Sequence, residues 1–280
     1  MVLRTGGGGR NSLITRVLSG EKFFKLHFGF TLAEGATHVD NFANKRKFGF
    51  TLAEVLITLG IIGVVAAITI PIVIQNGRKV ERINQIKTAY SIIQNATRMA
   101  VAEHGSPDSW DFENSLTYAT SYFIPYVKVI KLCGQSTNKN QFYESGCFVD
   151  NGKNGEWYRL NGESYETGEA GGYKNIWYCT LVMANGMHVA IWAPAKVNQA
   201  FQRTICFSVD VNGGKGPSTL GKDIFTFRYN IDTEKFMTGG SPSGGINKDD
   251  CVLTGKGASC AYIIEQNNWK IPDNYPVKRF

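Results

Sequence analysis

The sequence predicts an α+β protein in which one long helix near the N-terminus packs on an antiparallel sheet. Two observations support this prediction. An apolar run that starts at Val55 is followed by apolar residues at steps of three and four, and the chain after Trp110 changes to short aromatic and β-branched runs separated by Gly, Asn and Asp. At 280 residues and 43% hydrophobic content, the chain can bury a sizeable core, which excludes wholesale disorder.

The first part of the long helix is apolar throughout. Residues 55–74 form a run of twenty residues without a charged side chain. As a helix this run is about 30 Å long, which matches the hydrocarbon core of a bilayer. Lys45, Arg46 and Lys47 lie before it, so we expect the N-terminal side in the cytoplasm and the rest of the chain to be exported. An ordinary secretory signal peptide fits less well, because its apolar region spans only about 7 to 15 residues.

The second part of the helix is predicted to be amphipathic and to pack one face on the rest of the protein. At Pro71 we expect a kink or a locally melted turn, with Gly77 as a second weak point. The sequence Gly105-Ser106-Pro107 predicts the end of the helix. The residues expected on the packed face are Val80, Ile83, Ile86, Tyr90, Ile93, Ala96 and Ala100.

The remainder of the chain is predicted to form the sheet. Residues 176–193 contain an Asn185-Gly186 pair between two apolar runs, which is a strong signal for a β-hairpin. Residues 134–175 are rich in Gly, Asn and Ser and are expected to form surface loops, and the closing stretch from Trp269 is expected to be extended and packed by Trp269 and Tyr275. Further strands are predicted at residues 204–211, 223–230 and 234–237.

The cysteines predict disulfide bonds in an oxidising compartment. Their number is even, none occurs in a C-x-x-C pair, and all lie after the apolar run. We favour pairing in sequence order, because the first and third pairs each close a short loop, whereas the second pair follows by elimination. The six residues are Cys133, Cys147, Cys179, Cys206, Cys251 and Cys260.

The positive charge is concentrated at the N-terminus. Residues 1–49 carry a balance of +5 out of the net +7 of the chain, which leaves +2 for the rest. A nearly neutral head argues against a nucleic-acid partner, since binding to phosphates depends on clustered Lys and Arg.

Glu54 is the most informative residue. An ionised carboxylate inside an apolar span costs about 2.5 to 3.5 kcal/mol and by default marks a functional group. Residues 55–74 contain no Lys, Arg or His, so we expect Glu54 to be compensated by a newly created charge or by another chain. The phrase FGFTLAE occurs at residues 28–34 and again at 48–54, but only the second copy leads into the apolar run.

Lys47-Phe48-Gly49 followed by FTLAEVLI resembles the cleavage signal of type IV pilins and type II secretion pseudopilins. That family has a basic leader ending in Gly, then Phe, with Glu fifth after the cut and Pro at the twenty-second position. By resemblance, a prepilin peptidase cuts between Gly49 and Phe50 and methylates the amine of Phe50, and Glu54 then faces that amine on a neighbouring subunit. The leader of 49 residues is longer than is usual in the family.

The resemblance implies a pilin-like fold and four segments: residues 1–49 as a leader that is removed, 50–74 as a transmembrane and polymerisation helix, 75–104 as its amphipathic continuation and 105–280 as a β-rich head. It also implies an inner-membrane precursor with a cytoplasmic N-terminus, which then enters a periplasmic or surface filament. The implied partners are the prepilin peptidase, other pilin subunits, an inner-membrane assembly platform and, before assembly, the lipid bilayer. The implied function is structural, and the sequence leaves open a pilus or a pseudopilus and a major or a minor subunit.

Two other functions are less well supported. A minor tip pilin could bind DNA or a surface ligand through exposed aromatic residues such as Trp157, Trp177 and Trp192, although on strands these more often form core. An exported enzyme would need a catalytic constellation, but only His104 and His188 remain after cleavage and no hydrolase motif is present. Residues 216–223 resemble a phosphate-binding loop but end in Asp where Ser or Thr is required.

No cofactor is expected apart from a candidate structural calcium ion. Asp210, Asn212 and Asp223 lie in a loop between two predicted strands, and their oxygen atoms are spaced as in sites for hard cations. Major pseudopilins, which the chain resembles, carry a calcium loop in the head. The alternative is a Gly-rich turn whose polar side chains bind their own backbone, and Lys215 and Lys222 favour it.

Overall fold

The computed structural model describes residues 49–136, 147, 157–163, 178–194, 203–240 and 245–280. The chain divides into two units, Met1–Thr51 and Leu52–Phe280, and the second unit contains the fold. Its helices are α1 (Leu52–His104), α2 (Ser115–Tyr118) and α3 (Cys260–Gln266). Its strands are β1 (Val129–Ser136), β2 (Trp157–Tyr158), β3 (Tyr178–Met183), β4 (His188–Trp192), β5 (Thr204–Asp210), β6 (Ser218–Thr219), β7 (Ile224–Asn230) and β8 (Lys235–Thr238).

Helix α1 is continuous over 53 residues. It remains helical through Pro71 and Gly77, so the prediction of a locally melted turn at Pro71 is wrong, whereas the alternative, a kink within a continuous helix, stays a prediction. A proline removes one backbone hydrogen bond, and the many other bonds of a long helix hold the segment in place. The helix ends where predicted: Gly105 adopts a φ of +77°, and its amide donates to the carbonyl of Val101 at 2.9 Å.

Only the second half of α1 is packed on the head. The predicted packed face is largely confirmed, but Val80 is wrong because its side chain is 61% exposed, and Tyr90 is only partly buried. The packed face of α1 begins at Ile83, about one helical turn later than the periodicity predicts. The buried residues of α1 are Ile83, Ile86, Ala89, Ile93, Ala96, Thr97 and Ala100.

Six strands form an antiparallel sheet in the order β1-β3-β4-β5-β7-β8. The predicted hairpin is confirmed as β3 and β4, and Gly186 in its turn adopts a φ of +83°. The strands predicted near residues 204, 223 and 234 are confirmed as β5, β7 and β8. Local sequence patterns did not predict the edge strand β1, the short parallel pair β2 and β6, or the helices α2 and α3.

The two faces of the sheet have different partners. Ile191 and Phe207 lie on the face that packs against α1, in the same core cluster as Ile86 and Ile93. The opposite face carries a smaller cluster that includes Trp157 and Ile224. In the closing stretch, Tyr275 is buried and Trp269 packs against the main cluster, as predicted.

Two of the three favoured disulfides are confirmed: Cys133 is bonded to Cys147 and Cys251 to Cys260. The third is wrong, because Cys179 and Cys206 are free, buried thiols. Cys179 pairs across β3 and β4 with Ile191, whose partner on β5 is Phe207, so these three side chains share one face. Cys206 is next to Phe207 in the chain and therefore points to the opposite face. No simple side-chain rotation can join these two thiols through the sheet.

Candidate functional site

The predicted cleavage position is accessible. Gly49 and Phe50 are exposed, Phe50 to 88%, and they precede the first residue of α1, Leu52. A peptidase needs an extended, accessible backbone around the bond it cuts, and residues outside helical hydrogen bonding meet that requirement. The local structure is therefore compatible with cleavage between Gly49 and Phe50.

Glu54 lies in the first turn of α1. The amide groups of a first helical turn point towards the N-terminus and favour a negative charge by about 0.3 to 1 kcal/mol. This position lowers the cost of placing a carboxylate in an apolar segment but does not remove it, since that cost is about 2.5 to 3.5 kcal/mol.

The apolar half of α1 presents its side chains to the outside. Among the described residues, α1 is the one helix that is long and apolar enough to cross a membrane by length and composition, and none of its most apolar window is buried in the structure. Such a long apolar surface exceeds the patches that soluble monomers expose and needs lipid or protein around it. The large exposed side chains of this half are Leu52, Val55, Leu56, Ile57, Leu59, Ile61, Ile62, Val64, Val65, Ile68, Ile70, Ile72, Val73 and Ile74.

The three predicted calcium ligands do come together. Asp210 ends β5, Asp223 directly precedes β7, and Asn212 lies in the loop between the two strands. The Asn212 side-chain amide Nδ2 donates to Asp223 Oδ1 at 2.9 Å, and the Asn212 backbone amide donates to Asp210 Oδ1 at 3.2 Å. The hydroxyl of Ser218 donates to Asp210 Oδ2 at 2.6 Å.

Arg82 of α1 joins this cluster. Its guanidinium Nη2 lies 3.1 Å from Asp223 Oδ1, and the exposed fractions of the two side chains are only 11% and 4%. Asp223 Oδ2 also accepts a hydrogen bond from the backbone amide of Thr219 at 3.2 Å. The two residues of the ion pair are 141 positions apart, so no local pattern in the sequence could have revealed it.

Burial changes the titration of both carboxylates. It raises the pKa of Asp210 to about 6, and the hydrogen bond from Ser218 only partly opposes this effect. Burial also raises the pKa of Asp223, while the charge of Arg82 acts in the opposite direction. The cluster is therefore a buried polar junction between α1 and the sheet, in which Asp210 is the easier residue to protonate.

The donor set fits a calcium ion in part. Two carboxylates and the Asn212 amide are hard oxygen ligands, and within the described ranges Asn212 Oδ1 accepts no hydrogen bond. Arg82, however, places a positive charge on Asp223, and the side-chain to backbone hydrogen bonds are those that the Gly-rich turn predicts. In the part of the chain that the structure describes, no group of three or more His, Cys, Asp or Glu is arranged to hold a metal.

The phosphate-loop-like segment and the two histidines have surroundings that fit a structural role. The loop at residues 216–223 runs into strand β7, whereas a phosphate-binding loop of that type precedes a helix. His188 lies in β4 and is buried, and Gly214 packs so closely that an added Cβ would lie 2.7 Å from the imidazole ring. His104 Nε2 lies 2.9 Å from the hydroxyl oxygen of Tyr126.

The structure describes two of the three tryptophans that were considered as ligand-stacking residues. Trp157 is buried and Trp192 is partly buried, and both belong to the smaller core cluster. Trp177 lies outside the described residues.

Together, a helix with an exposed apolar half, an antiparallel sheet on its other half and an accessible Gly-Phe bond define a pilin-like protein with a prepilin-type signal. Residues 44–70 match the prokaryotic N-terminal methylation motif, which confirms the resemblance to type IV pilins and pseudopilins. Residues 72–279 match a family of unknown function (DUF6613), and since this match covers most of the chain, the protein belongs to that family. Comparisons with curated proteins and with solved structures gave no significant match.

Proposed function

We propose that this protein is a structural subunit, a pilin or pseudopilin, that polymerises through residues 50–74 into a type IV pilus or a type II secretion pseudopilus. The observation that carries the proposal is the division of α1. One face of its second half is buried from Ile83 onward, whereas its first half exposes apolar side chains, most of them within the matched methylation motif at residues 44–70. A subunit that is first held in lipid and then packed among other copies needs this division.

The maturation step creates a cation at the start of the helix. Cleavage between Gly49 and Phe50 frees the amine of Phe50, which carries a positive charge at neutral pH and keeps it after methylation. In a filament, this amine on one copy and the Glu54 carboxylate on a neighbouring copy form an ion pair within an apolar bundle. Pairing of buried opposite charges makes the bundle energetically tolerable.

The proposed topology places residues 1–49 in the cytoplasm and the head on the other side of the inner membrane. Lys45, Arg46 and Lys47 favour retention of the N-terminal side in the cytoplasm. The two disulfides, Cys133–Cys147 and Cys251–Cys260, favour an oxidising location for residues 105–280. The prepilin peptidase and an inner-membrane assembly platform are the proposed partners on the cytoplasmic side, and no catalytic role is proposed for the head.

Mass spectrometry of the N-terminus tests this proposal. The full chain is produced in bacterial membranes with and without an active prepilin peptidase, and the N-terminal peptide is identified. The expected product with peptidase begins at a methylated Phe50, and without peptidase residues 1–49 remain attached or are shortened only upstream of Gly49. Recovery of an unmethylated chain that still contains the Gly49-Phe50 bond in both strains contradicts the proposal.

A further inference from the structure

Two basic residues follow the apolar half of α1 at a short distance. Arg78 and Lys79 lie four and five residues after Ile74, the last residue of the charge-free run. At a rise of about 1.5 Å per residue, they stand about 6 to 8 Å beyond that run along the helix axis. The polar headgroup layer adds about 5 to 8 Å on each side of the hydrocarbon core. When residues 55–74 span the core, Arg78 and Lys79 therefore lie at the depth of the headgroups.

The end of the chain brings two more basic residues to the same level. Tyr275 is buried, and its hydroxyl donates to the carbonyl of Gly221. The ring of Phe280 stacks on Tyr275 with 5.9 Å between centroids, and Arg78 Nη1 donates to the backbone carboxylate oxygen of Phe280 at 3.4 Å. Between these contacts, Lys278 and Arg279 are exposed. We name Arg78, Lys79, Lys278 and Arg279 the basic collar.

The collar keeps its charge available to an external partner. The nearby Arg82 differs, because it is mostly buried and paired with Asp223. Lys278 Nζ donates to the backbone carbonyl of Asp273 at 3.1 Å, which positions the ammonium group without neutralising it. Only two acidic side chains, Glu81 and Asp273, occur in residues 75–82 and 269–280, beside the backbone carboxylate of Phe280 that Arg78 contacts. The cations of the collar thus outnumber the acids around them.

We propose that the basic collar binds the phosphate groups of anionic phospholipids in the leaflet that faces the head, and so fixes the depth of α1 before assembly. The partner is a lipid headgroup because the collar borders the apolar half of α1 directly and so lies at the depth of the headgroups. Water-soluble polyanions do not enter the bilayer to that depth. Basic residues beside an anionic bilayer each strengthen binding about fivefold. The collar sits on two segments far apart in sequence, so it forms only in the folded protein. The inference rests on the membrane stage of the proposed function.

Native mass spectrometry of the full chain in detergent micelles tests the collar. The probes are dioleoylphosphatidylglycerol, which is anionic, and dioleoylphosphatidylcholine, which is zwitterionic. The test variant is K278Q/R279Q, which changes two exposed side chains and keeps the Arg78 contact with Phe280. The matched control is K248Q/K256Q, which removes the same charge at two exposed positions elsewhere on the head.

We expect the unchanged chain and the control to retain phosphatidylglycerol at least tenfold more strongly than phosphatidylcholine. We expect K278Q/R279Q to lose at least tenfold in phosphatidylglycerol binding, and R78Q/K79Q/K278Q/R279Q to lose the preference entirely. Equal retention of both lipids by the unchanged chain overturns the inference, and so does an equal loss in the control. A single-stranded oligonucleotide that displaces phosphatidylglycerol from the collar at equal concentration also overturns it, in favour of a nucleic-acid partner.

The membrane stage is measured separately, by sedimentation of the chain with bilayers after carbonate extraction. A chain that is extracted from bilayers of either lipid contradicts the proposed function. A chain that stays in both bilayers but shows no lipid preference contradicts only the collar.

Discussion

The guanidinium of Arg82 on α1 lies 3.1 Å from the carboxylate of Asp223, which directly precedes β7, and both side chains are nearly buried. Within the residues that the structure describes, this ion pair links the packed half of the helix to the loop that follows β5. A buried ion pair is costly to break from one side, because the remaining charge stays in a poorly solvated place.

Replacement of Arg82 is therefore expected to destabilise the head. Arg82→Ala should lower the free energy of unfolding by about 3 to 5 kcal/mol, because Asp223 loses its cation. The measurement is urea-induced unfolding of the full chain in detergent, followed by tryptophan fluorescence. Lys87→Ala, an exposed position on the same helix, is the control and should change stability by less than about 0.5 kcal/mol. An Arg82→Ala effect no larger than that of the control refutes this role.

The stability of the head should fall between acidic and neutral pH. Since burial raises the pKa of Asp210 from 3.8 to about 6, the folded state holds a proton that the unfolded state has already lost in this range. The stabilisation from this proton is complete below about pH 4 and disappears as the pH rises through 6. Each tenfold change in proton affinity corresponds to about 1.4 kcal/mol, so the contribution is about 3 kcal/mol.

Asp210→Asn isolates that contribution. The variant cannot ionise, so we expect it to unfold at a higher temperature than the unchanged chain at pH 7.5 and at a similar temperature at pH 3.5. The comparison uses thermal unfolding of both proteins at each pH, which removes the effect of other titrating groups. A constant difference across the pH range excludes Asp210 as the source.

Calcium, if it binds the loop, must compete with Arg82 for Asp223. We expect Arg82→Gln to bind Ca²⁺ at least tenfold more tightly than the unchanged chain, because the substitution removes a positive charge from a ligand oxygen. Isothermal titration of the full chain in detergent measures this, with Arg82→Gln/Asp223→Asn as the variant that should bind least. Tighter binding by the unchanged chain than by Arg82→Gln shows that Arg82 does not oppose the ion.

Cys179 and Cys206 should be unreactive in the folded protein. Burial raises the pKa of each thiol to about 12, so almost none is present as the reactive thiolate at pH 8. We expect no alkylation by iodoacetamide in the native, oxidised protein and two alkylated cysteines after denaturation without reductant. A peptide containing Cys179 bonded to Cys206 in a nonreducing digest contradicts the observed sheet geometry.

Glu54→Gln should separate processing from assembly. We expect a methylated Phe50 terminus to appear at near-normal yield, because the bond to be cut lies before the helix and Glu54 within it. Recovery of sheared filaments should fall at least tenfold, since the proposed partner of the Phe50 amine is gone. Glu81→Gln changes an exposed acid later on the same helix and is the control. Normal filament recovery from Glu54→Gln refutes the proposed ion pair.

Local patterns were sufficient to predict the long helix and most of the sheet. The end of α1 at Gly105, the Asn185-Gly186 turn and the strands near residues 204, 223 and 234 all depend on neighbouring residues, and each is confirmed. The cleavage signal was also readable, because its spacing is local, and the methylation motif match supports it.

Features that depend on distant contacts were missed. Arg82 finds Asp223 across 141 positions, and nothing in the sequence near either residue indicates the other. The pairing of Cys179 with Cys206 rests on elimination, which takes no account of the two faces of the sheet. Cys179 shares a face with Phe207, and Cys206, the neighbour of Phe207 on the strand, points to the other face. The edge strand β1 was missed because its exposed Ile130 and Leu132 do not show the alternation of a half-buried strand.

The continuous helix α1 acts as a lever arm that carries the head. A helix of 53 residues is about 80 Å long, so a change of 10° in the direction of one end displaces the other by about 14 Å. Pro71 donates no backbone hydrogen bond, so bending at that point breaks fewer hydrogen bonds than bending elsewhere in the helix. A reorientation of the first half of α1, during withdrawal from lipid or within a growing fibre, is thus passed to the sheet except for the part that bending at Pro71 absorbs.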